Sequence, residues 1–199
     1  MNRRFATLVA ALVLVAGLLH GLFSPTAEAQ GSPETYQVDP VHSSVVFRVK
    51  HMGVSYLWGR FNDVSGRFTL RGGDPTSVEV TVQAQSVDTH SAKRDQHLRS
   101  PDFFSAKQYP LITFKGTRFT KAGDGRYEVA GDLSVHGVTK QIAVTVEHTG
   151  TGPGMGGKGT LAGFEATFDL QRSDFGMTKL RGPVGDDVRV IVSLEGGLR

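Results

Sequence analysis

Residues 86–110 read SVDTHSAKRDQHLRSPDFFSAKQYP, and this stretch is the long break in a chain that otherwise alternates apolar and polar residues. The alternation on both sides is the pattern of half-buried antiparallel strands. Within the break, Ser100-Pro101-Asp102 has the form of a helix start, with a serine N-cap, a proline at the first helical position and an acid in the first turn. We therefore expect a short helix that presents Phe103 and Phe104, ends before Pro110 and forms a lid.

The alternating segments outside the lid predict about eight strands, each with one apolar face. Glycine-bearing turns separate several of them, at 71–75, 121–125, 136–137 and 150–159. Closing the sheet on itself removes the exposed strand edges that invite aggregation. The predicted fold class is therefore all-β, an antiparallel eight-stranded lipocalin-like barrel with a short helical lid between two strands.

The predicted inward face is mostly valine with a few phenylalanines, and its parity changes once between Tyr56 and Leu70, where we expect a bulge or bend near Gly59 or Gly66. An eight-stranded interior is either filled by its own side chains or holds one ligand, and both alternatives stay open. In a hollow barrel, the inward side chains and the two lid rings line a tunnel, as follows: Val45, Phe47, Val49, Val80, Phe103, Phe104, Ile112, Phe114, Leu133, Val144, Phe164, Phe168 and Val190.

Charged residues are concentrated between Lys93 and Arg99, and three roles are open to them. They form a structural network that holds the lid, or a polar rim that contacts a ligand head group through charge and hydrogen bonds. In the third, Asp95 and His97, with Arg172 and Asp174, act as acid and base on a lipid head group, although no nucleophile accompanies them. The residues predicted for the rim are His51, Lys93, Arg94, Asp95, His97, Arg99 and Arg172.

Composition excludes several other classes of function. The chain has no cysteine, which rules out thiol chemistry and cysteine-ligated metals. Its histidines show no chelating spacing, so we predict no metal and no cofactor. The formal net charge is only +3 over 199 residues, and nucleic acid is therefore not an expected partner.

The N-terminus has the three parts of a secretory signal: Arg3 and Arg4, the apolar run Phe5–Phe23, and the small-x-small site that ends at Ala29. An uncleaved membrane anchor is the alternative, because the run is close to spanning length. Cleavage at this site gives a signal peptide of residues 1–29 and one domain of residues 30–199, long enough for a sizeable core. We expect the protein to be periplasmic or secreted.

Several segments, in this order, resemble the YceI-like family of exported, lipocalin-like polyisoprenoid-binding proteins. The resemblance covers nearly all of residues 30–199 and implies an antiparallel barrel with a helix at one end, an apolar tunnel for a long isoprenoid tail, and no catalytic residues. The glycine-rich 150–159 loop has no counterpart in that pattern. The matching segments are Tyr36–Asp39, His42-Ser43, His51–Gly53, Gly59–Phe61, Gly66, Ser86–Thr89, Arg94–Leu98, Asp102–Phe104, Tyr109-Pro110, His136–Lys140 and Arg172–Gly176.

The expected function is that of an exported carrier that sequesters a long-chain isoprenoid lipid, of the polyprenyl phosphate or prenyl-quinone type. About 0.8 kcal/mol for each buried CH₂ group allows a few isoprene units to supply the binding energy. Transient membrane contact fits this function, and the chain is expected as a monomer or a homodimer. The alternatives are the head-group-modifying enzyme and a stress-related surface protein with a solid barrel.

Overall fold

The alternating segments form eleven β-strands in the computed structural model, which describes residues 31–199. The predicted signal peptide lies outside the described residues. In that range the single α-helix, α1, is Ala92–Arg99, three 3₁₀ turns span Ala84–Ser86, Met155–Gly157 and Arg172–Phe175, and no helix is long and apolar enough to cross a bilayer. The strands are β1 (Pro33–Val38), β2 (Ser44–His51), β3 (Ser55–Phe61), β4 (Val64–Arg71), β5 (Asp74–Gln83), β6 (Val87–Asp88), β7 (Leu111–Gly123), β8 (Arg126–Val135), β9 (Val138–Pro153), β10 (Thr160–Gln171) and β11 (Val184–Leu198).

Eight of these strands close into an antiparallel ring in the order β1, β4, β5, β7, β8, β9, β10, β11, and β11 pairs back with β1. The period-two pattern sets the register, because apolar residues of neighbouring strands must face the same side. Val45 and Phe47 of β2, for example, lie opposite Val192 and Val190 of β11. The predicted eight-stranded barrel is confirmed.

One edge of β11 is shared by two strands. Its last residues pair with β1, from Tyr36 opposite Leu198 to Val38 opposite Gly196, whereas its earlier residues pair with β2. The sheet then continues through β3 to the short β6. This division gives the barrel two different ends: a closed end, where β1 bridges β4 and β11, and a lid end, where residues 84–110, which include β6 and α1, lie.

Aromatic rings fill the closed end. Phe68 stacks on Tyr36 with ring centroids 5.2 Å apart and meets Phe164 edge-on at 5.1 Å. A Cβ atom on Gly196 would lie 2.7 Å from the Phe68 ring, so glycine is required where β11 passes this ring. Tyr36 and Phe68 are almost fully buried, and this cluster therefore plugs the barrel with hydrocarbon.

Two local predictions are wrong. The helix lies before Ser100, not after it, and Ser100 follows the last helical turn as its C-cap, with its N–H bonded to the His97 carbonyl. The eight residues 92–99 contain no glycine, proline or β-branched residue, so they favour a helix over the turn that begins at Pro101. The parity change after Tyr56 comes from a bend at Asn62-Asp63, between β3 and β4, so the expected bend exists but lies at neither Gly59 nor Gly66.

The turns at 71–75, 121–125 and 136–137 lie between strands as predicted. The 150–159 segment also forms a hairpin connection, but β9 runs on to Pro153 and the loop is shorter than expected. Neither end of this loop opens an α-helix, as a phosphate-binding loop would require.

Candidate functional site

The barrel interior at the lid end contains a cavity, chamber one, of about 170 Å³. Val45, Phe47 and Val49 of β2 form one wall, and the lid contributes Leu98 and Phe104. Apart from Thr113 and Arg172, the lining side chains are all apolar. Such a surface excludes charged solutes and favours hydrocarbon.

A second cavity of about 100 Å³, chamber two, extends toward the closed end. Four side chains line both chambers: Val80, Phe114, Phe168 and Val192. They project from β5, β7, β10 and β11, so they form a neck between two adjoining hydrocarbon spaces. The interior is therefore not the solid barrel that the sequence left open.

All thirteen side chains predicted for a tunnel line one of these chambers. Val144 and Phe164 line chamber two, three of the neck residues were among the predicted set, and the others line chamber one. Phe103 and Phe104 reach chamber one from the turn that follows α1 and not from the helix itself. Phe104 also meets Phe61 edge-on, with ring centroids 5.4 Å apart.

Thr89 anchors the lid. Its N–H and its hydroxyl both donate to Asp95 Oδ1, at 2.9 and 2.5 Å. Arg94 donates to the same hydroxyl and to the Thr89 carbonyl. Because Asp95 is buried, the expectation that it belongs to an exposed rim is wrong; it fastens α1 to the chain before it.

The other charged residues of the lid divide between internal bonds and solvent. Arg99 donates to the carbonyls of Gln85 and Val87, which ties the end of α1 to the start of the lid. His97 is exposed and its Nε2 lies 2.9 Å from Asp102 Oδ2, so it makes no hydrogen bond to Asp95. Lys93 faces solvent. This arrangement matches the predicted structural network and does not form the Asp95–His97 acid–base pair.

Arg172 is the charged residue that lines chamber one. It is buried and donates to three backbone carbonyls: Nε to Gly185 at 2.8 Å, Nη1 to Met177 at 2.6 Å and Nη2 to Val184 at 3.1 Å. Burial lowers the pKa of the guanidinium, and the charge of nearby Asp186 opposes that change. Arg172 thus lies inside the wall rather than on an open rim, while His51, also predicted for the rim, is exposed at the end of β2.

The barrel wall is parted at the lid end between β9 and β10. These strands pair from Pro153 opposite Thr160 only as far as Val146 opposite Ala166. Residues 138–145 of β9 and 167–171 of β10 therefore flank a groove of about 540 Å³, the β9–β10 cleft, which Lys140 spans with an ion pair to Asp174 at 3.0 Å.

The cleft adjoins both chambers. Leu170 lines the cleft and chamber one, and Ile142 lines the cleft and chamber two. Leu170 and Ile142 thus lie between the cleft on the outer surface and the apolar interior. The parted strands were not predicted, because nothing in the alternation of either strand marks the point where their pairing stops.

One group of metal-ligating side chains comes together within residues 31–199: Asp39, His42 and Glu195, whose ligand atoms all lie within 4.8 Å of one another. His42 Nδ1 is 2.8 Å from Asp39 Oδ2, and this hydrogen bond raises the pKa of His42. The histidine is exposed and lies in the β1–β2 connection, away from both chambers. Its bond to Asp39 also holds that connection, since Asp39 Oδ1 accepts the Val41 N–H.

Sequence reasoning missed several lining residues. Phe61 and Val82 lie at positions of their strands that face inward, so the period-two alternation predicts them in the same way as the residues that were named. Leu98 and Met177 lie in a helix and a loop, where period two gives no signal. Thr89 carried a signal in retrospect, since an Asp six residues later, in the first turns of α1, is placed to accept hydrogen bonds from the preceding loop.

Comparison with known proteins agrees with this architecture. The sequence pattern of the YceI-like domain matches residues 36–196. A UPF0312 protein of Ectopseudomonas mendocina is 37% identical over 192 residues, which cover 94% of this chain and 96% of that protein.

Solved structures with this fold include the Campylobacter jejuni YCEI protein, with 29% identity, a TM-score of 0.68, and coverage of 75% of this chain and 90% of that one. Another is described as a polyisoprenoid binding domain from Saccharophagus degradans, with 17% identity, a TM-score of 0.66, and coverage of 82% and 98%. At that identity the likeness concerns the fold alone. With most of its length matched by the family pattern and by a close relative, this chain belongs to the YceI-like domain family.

Proposed function

We propose that this protein is an exported carrier that holds the tail of a long-chain isoprenoid lipid in chambers one and two. The observation that carries the proposal is the pair of adjoining cavities with an almost wholly hydrocarbon lining. Such an interior offers a tail no directional bonds, so affinity rises with buried length, at about 0.8 kcal/mol for each CH₂ before ordering losses.

We propose an isoprenoid tail because of one structure that shares this fold and because of the shape of the neck. A structure with this fold is described as a polyisoprenoid binding domain. The neck is bounded by Val80, Phe114, Phe168 and Val192. The space between these branched and aromatic side chains is irregular, and methyl-branched isoprene units fill it better than an unbranched chain does. The head group then lies at the lid end, where polar groups and solvent are nearest.

Among residues 31–199, the side chains considered for catalysis are engaged in other hydrogen bonds, which supports a binding role. Asp95 accepts from Thr89, and His97 is hydrogen-bonded to Asp102. Arg172 donates to three backbone carbonyls. We therefore propose binding and transfer without chemical change of the lipid, and no cofactor.

The test is to purify the protein without detergent, extract it with organic solvent and identify the extract by lipid mass spectrometry. A long-chain isoprenoid in stoichiometric amount is expected. Recovery of no long-chain amphiphile, together with failure to take up added prenyl lipids, would overturn the proposal.

A neck variant tests which space the tail occupies. Phe114→Trp adds bulk between the chambers, so it should weaken binding of long prenyl chains more than tenfold while a short prenyl chain that fits chamber one binds as before. Thr145→Trp, at an exposed position of β9, is the matched control. Equal affinities of both variants for the long chain would contradict tail passage through the neck.

Export is proposed from the sequence of residues 1–29. Intact mass spectrometry of the protein recovered from a periplasmic or culture fraction should show a chain that begins at Gln30. A full-length chain in the membrane fraction would instead favour the uncleaved anchor.

A further inference from the structure

The outer face of β2 and β3 differs from the rest of the barrel exterior. Tyr56 and Trp58 are each 49% exposed, and at the tip of the β2–β3 hairpin Met52 and Val54 are 60% and 82% exposed. Isolated exposed apolar residues need no explanation, but a contiguous group on one hairpin marks an interaction site. This face lies directly behind the chamber-one wall, because alternate residues of the same strand, Val45 to Val49, line that chamber.

Cations border these rings. In the β2–β3 register Arg48 lies opposite Trp58, and Lys50 opposite Tyr56. The Arg48 guanidinium carbon is 4.1 Å from the Tyr56 ring centroid and 5.8 Å from that of Trp58, and Lys50 Nζ is 4.6 Å from the Tyr56 centroid. Arg60 projects from the same side of β3 and is exposed.

These three cations make no close ion pair, and the carboxylate beside them, Asp88 opposite Arg60 in the β3–β6 register, compensates their charge only in part. Within residues 31–199, no carboxylate lies within 4.0 Å of Arg48, Lys50 or Arg60, whereas the neighbouring Arg189 is held by Asp169 in a two-pronged pair at 2.9 and 2.8 Å. The face therefore presents net positive charge beside amphipathic rings and an apolar tip.

The hairpin tip is also joined to the rim of chamber one. The Met52 N–H donates to the Pro183 carbonyl at 2.7 Å, and the next residue, Val184, lines chamber one. Leu180, in the same loop, is 44% exposed. The exposed apolar side chains thus sit at the end of the barrel where the chamber meets the surface.

We propose that this docking face, made of Arg48, Lys50, Met52, Val54, Tyr56, Trp58 and Arg60, binds an anionic lipid bilayer. Tyrosine and tryptophan are enriched at the level of lipid head groups, where one side of the ring is apolar and the other is wet. Unpaired lysine and arginine are attracted to anionic head groups. Met52 and Val54 enter the acyl boundary, and the mouth of chamber one is held against the membrane.

A second copy of this chain is the less suitable occupant. In a two-fold symmetric contact each surface patch meets its own equivalent. The three cations of one copy would then face the same three cations of the other, and Asp88, which lies opposite Arg60, compensates only part of that charge. An anionic membrane supplies that compensation.

Trp58 provides a direct readout because it is the only tryptophan of the chain. The protein is titrated with vesicles of phosphatidylcholine alone, or of phosphatidylcholine containing one third phosphatidylglycerol, with no isoprenoid added. We expect a blue shift of the Trp58 emission and co-sedimentation with the anionic vesicles only. At about 1 M salt, where the Debye length falls to about 3 Å, the binding should be largely lost.

A charge-reversal pair separates this face from general attraction of a cationic protein. Lys50→Glu with Arg60→Glu should lower the vesicle partition coefficient at least about tenfold. Arg118→Glu with Lys158→Glu makes the same change of net charge at exposed positions on β7 and in the β9–β10 loop, outside the docking face, and should lower it much less. Equal losses in the two double variants would overturn the assignment of the face.

Two further outcomes decide the occupant. A blue shift that grows with protein concentration without vesicles, accompanied by dimers in sedimentation, would replace the membrane with a second copy. Vesicle binding without any recovery of isoprenoid would leave the docking face standing and count against the carrier function alone. Isoprenoid binding without any vesicle response would support the carrier function and overturn the docking face.

Discussion

The two ends of the barrel are built from the same alternating strands but differ in how completely those strands pair. At the closed end each neighbour in the ring is hydrogen-bonded, and Tyr36, Phe68 and Phe164 fill the space inside. At the lid end β9 and β10 part beyond Ala166, and β3 meets a further strand only at Arg60 and Phe61. The closed end thus stabilises the barrel, whereas the lid end offers a ligand access to the interior. Both ends belong to a single sheet.

The largest expected contrast comes from removing one phenylalanine at each end. Phe68→Ala should lower the free energy of unfolding by about 4 kcal/mol, because a nearly fully buried ring leaves a cavity in a packed cluster. Phe104→Ala should lower it by less than about half as much, since this ring already borders an open chamber. Urea denaturation of both variants measures the difference. Equal losses would break the distinction between the ends.

Arg172 is expected to stabilise the fold strongly although it lies at the lid end. Arg172→Met would leave the carbonyls of Gly185, Met177 and Val184 without their donor, which should cost about 3 kcal/mol. Arg189→Met, which removes an exposed pair with Asp169, should lower the free energy of unfolding much less, because solvent screens that pair. A small loss in the Arg172 variant would show that water replaces the guanidinium in the wall.

The lid itself should loosen when its anchor is removed. Asp95→Ala leaves the Thr89 N–H and hydroxyl without their acceptor, at a cost of about 2 kcal/mol. Amide hydrogen exchange should quicken across the lid, while the closed-end strands keep their protection. Asp102→Ala, at an exposed position bound to His97, is the control. Uniform loss of protection over the whole barrel would mean that the lid is part of the global folding unit.

The smallest effect is expected at the closed end, where the Tyr127 hydroxyl donates to Asp74 Oδ1 at 2.6 Å. Burial, and then Asp74, raises the pKa of Tyr127 to about 12 from its ordinary value of 10.0. A raised pKa favours the neutral phenol in the folded state, so its stabilisation is complete below pH 10 and is lost as the pH rises through about 12.

Tyr127→Phe should therefore lower the free energy of unfolding by about 1 kcal/mol at neutral pH. This gap, the difference in stability between the variant and the unaltered protein, should shrink between pH 10 and 12. Denaturation midpoints of the two proteins over this range measure the gap. A gap that does not change with pH would show that the hydroxyl contributes through packing alone.

Much of the fold followed from the sequence because a half-buried strand imposes period two on its own residues. Val45, Phe47 and Val49 reached chamber one by that rule alone. The helix was misplaced since the capping signal at Ser100-Pro101 was weighed without the helix-forming residues from Ala92 to Arg99 before it. Here local propensity over eight residues outweighed one favourable cap.

Features that depend on pairing between distant strands could not be predicted in this way. The division of the β11 edge between β1 and β2, and the cleft between β9 and β10, depend on where a ladder stops. Each strand at the cleft alternates normally on its own. The neck had no sequence signal either, because Phe114 and Phe168 are separated in sequence and meet only after the barrel closes.

The sharing of one edge of β11 also sets the order in which the chain can fold. β11 is the final strand, and it pairs with β10, β2 and β1, so that Tyr36 lies beside Leu198. The ring cannot close until nearly the whole chain has been made, and contacts of such wide sequence separation make folding slow. Until β11 has been made, the other strands of the ring can therefore form only an open sheet with two unpaired edges.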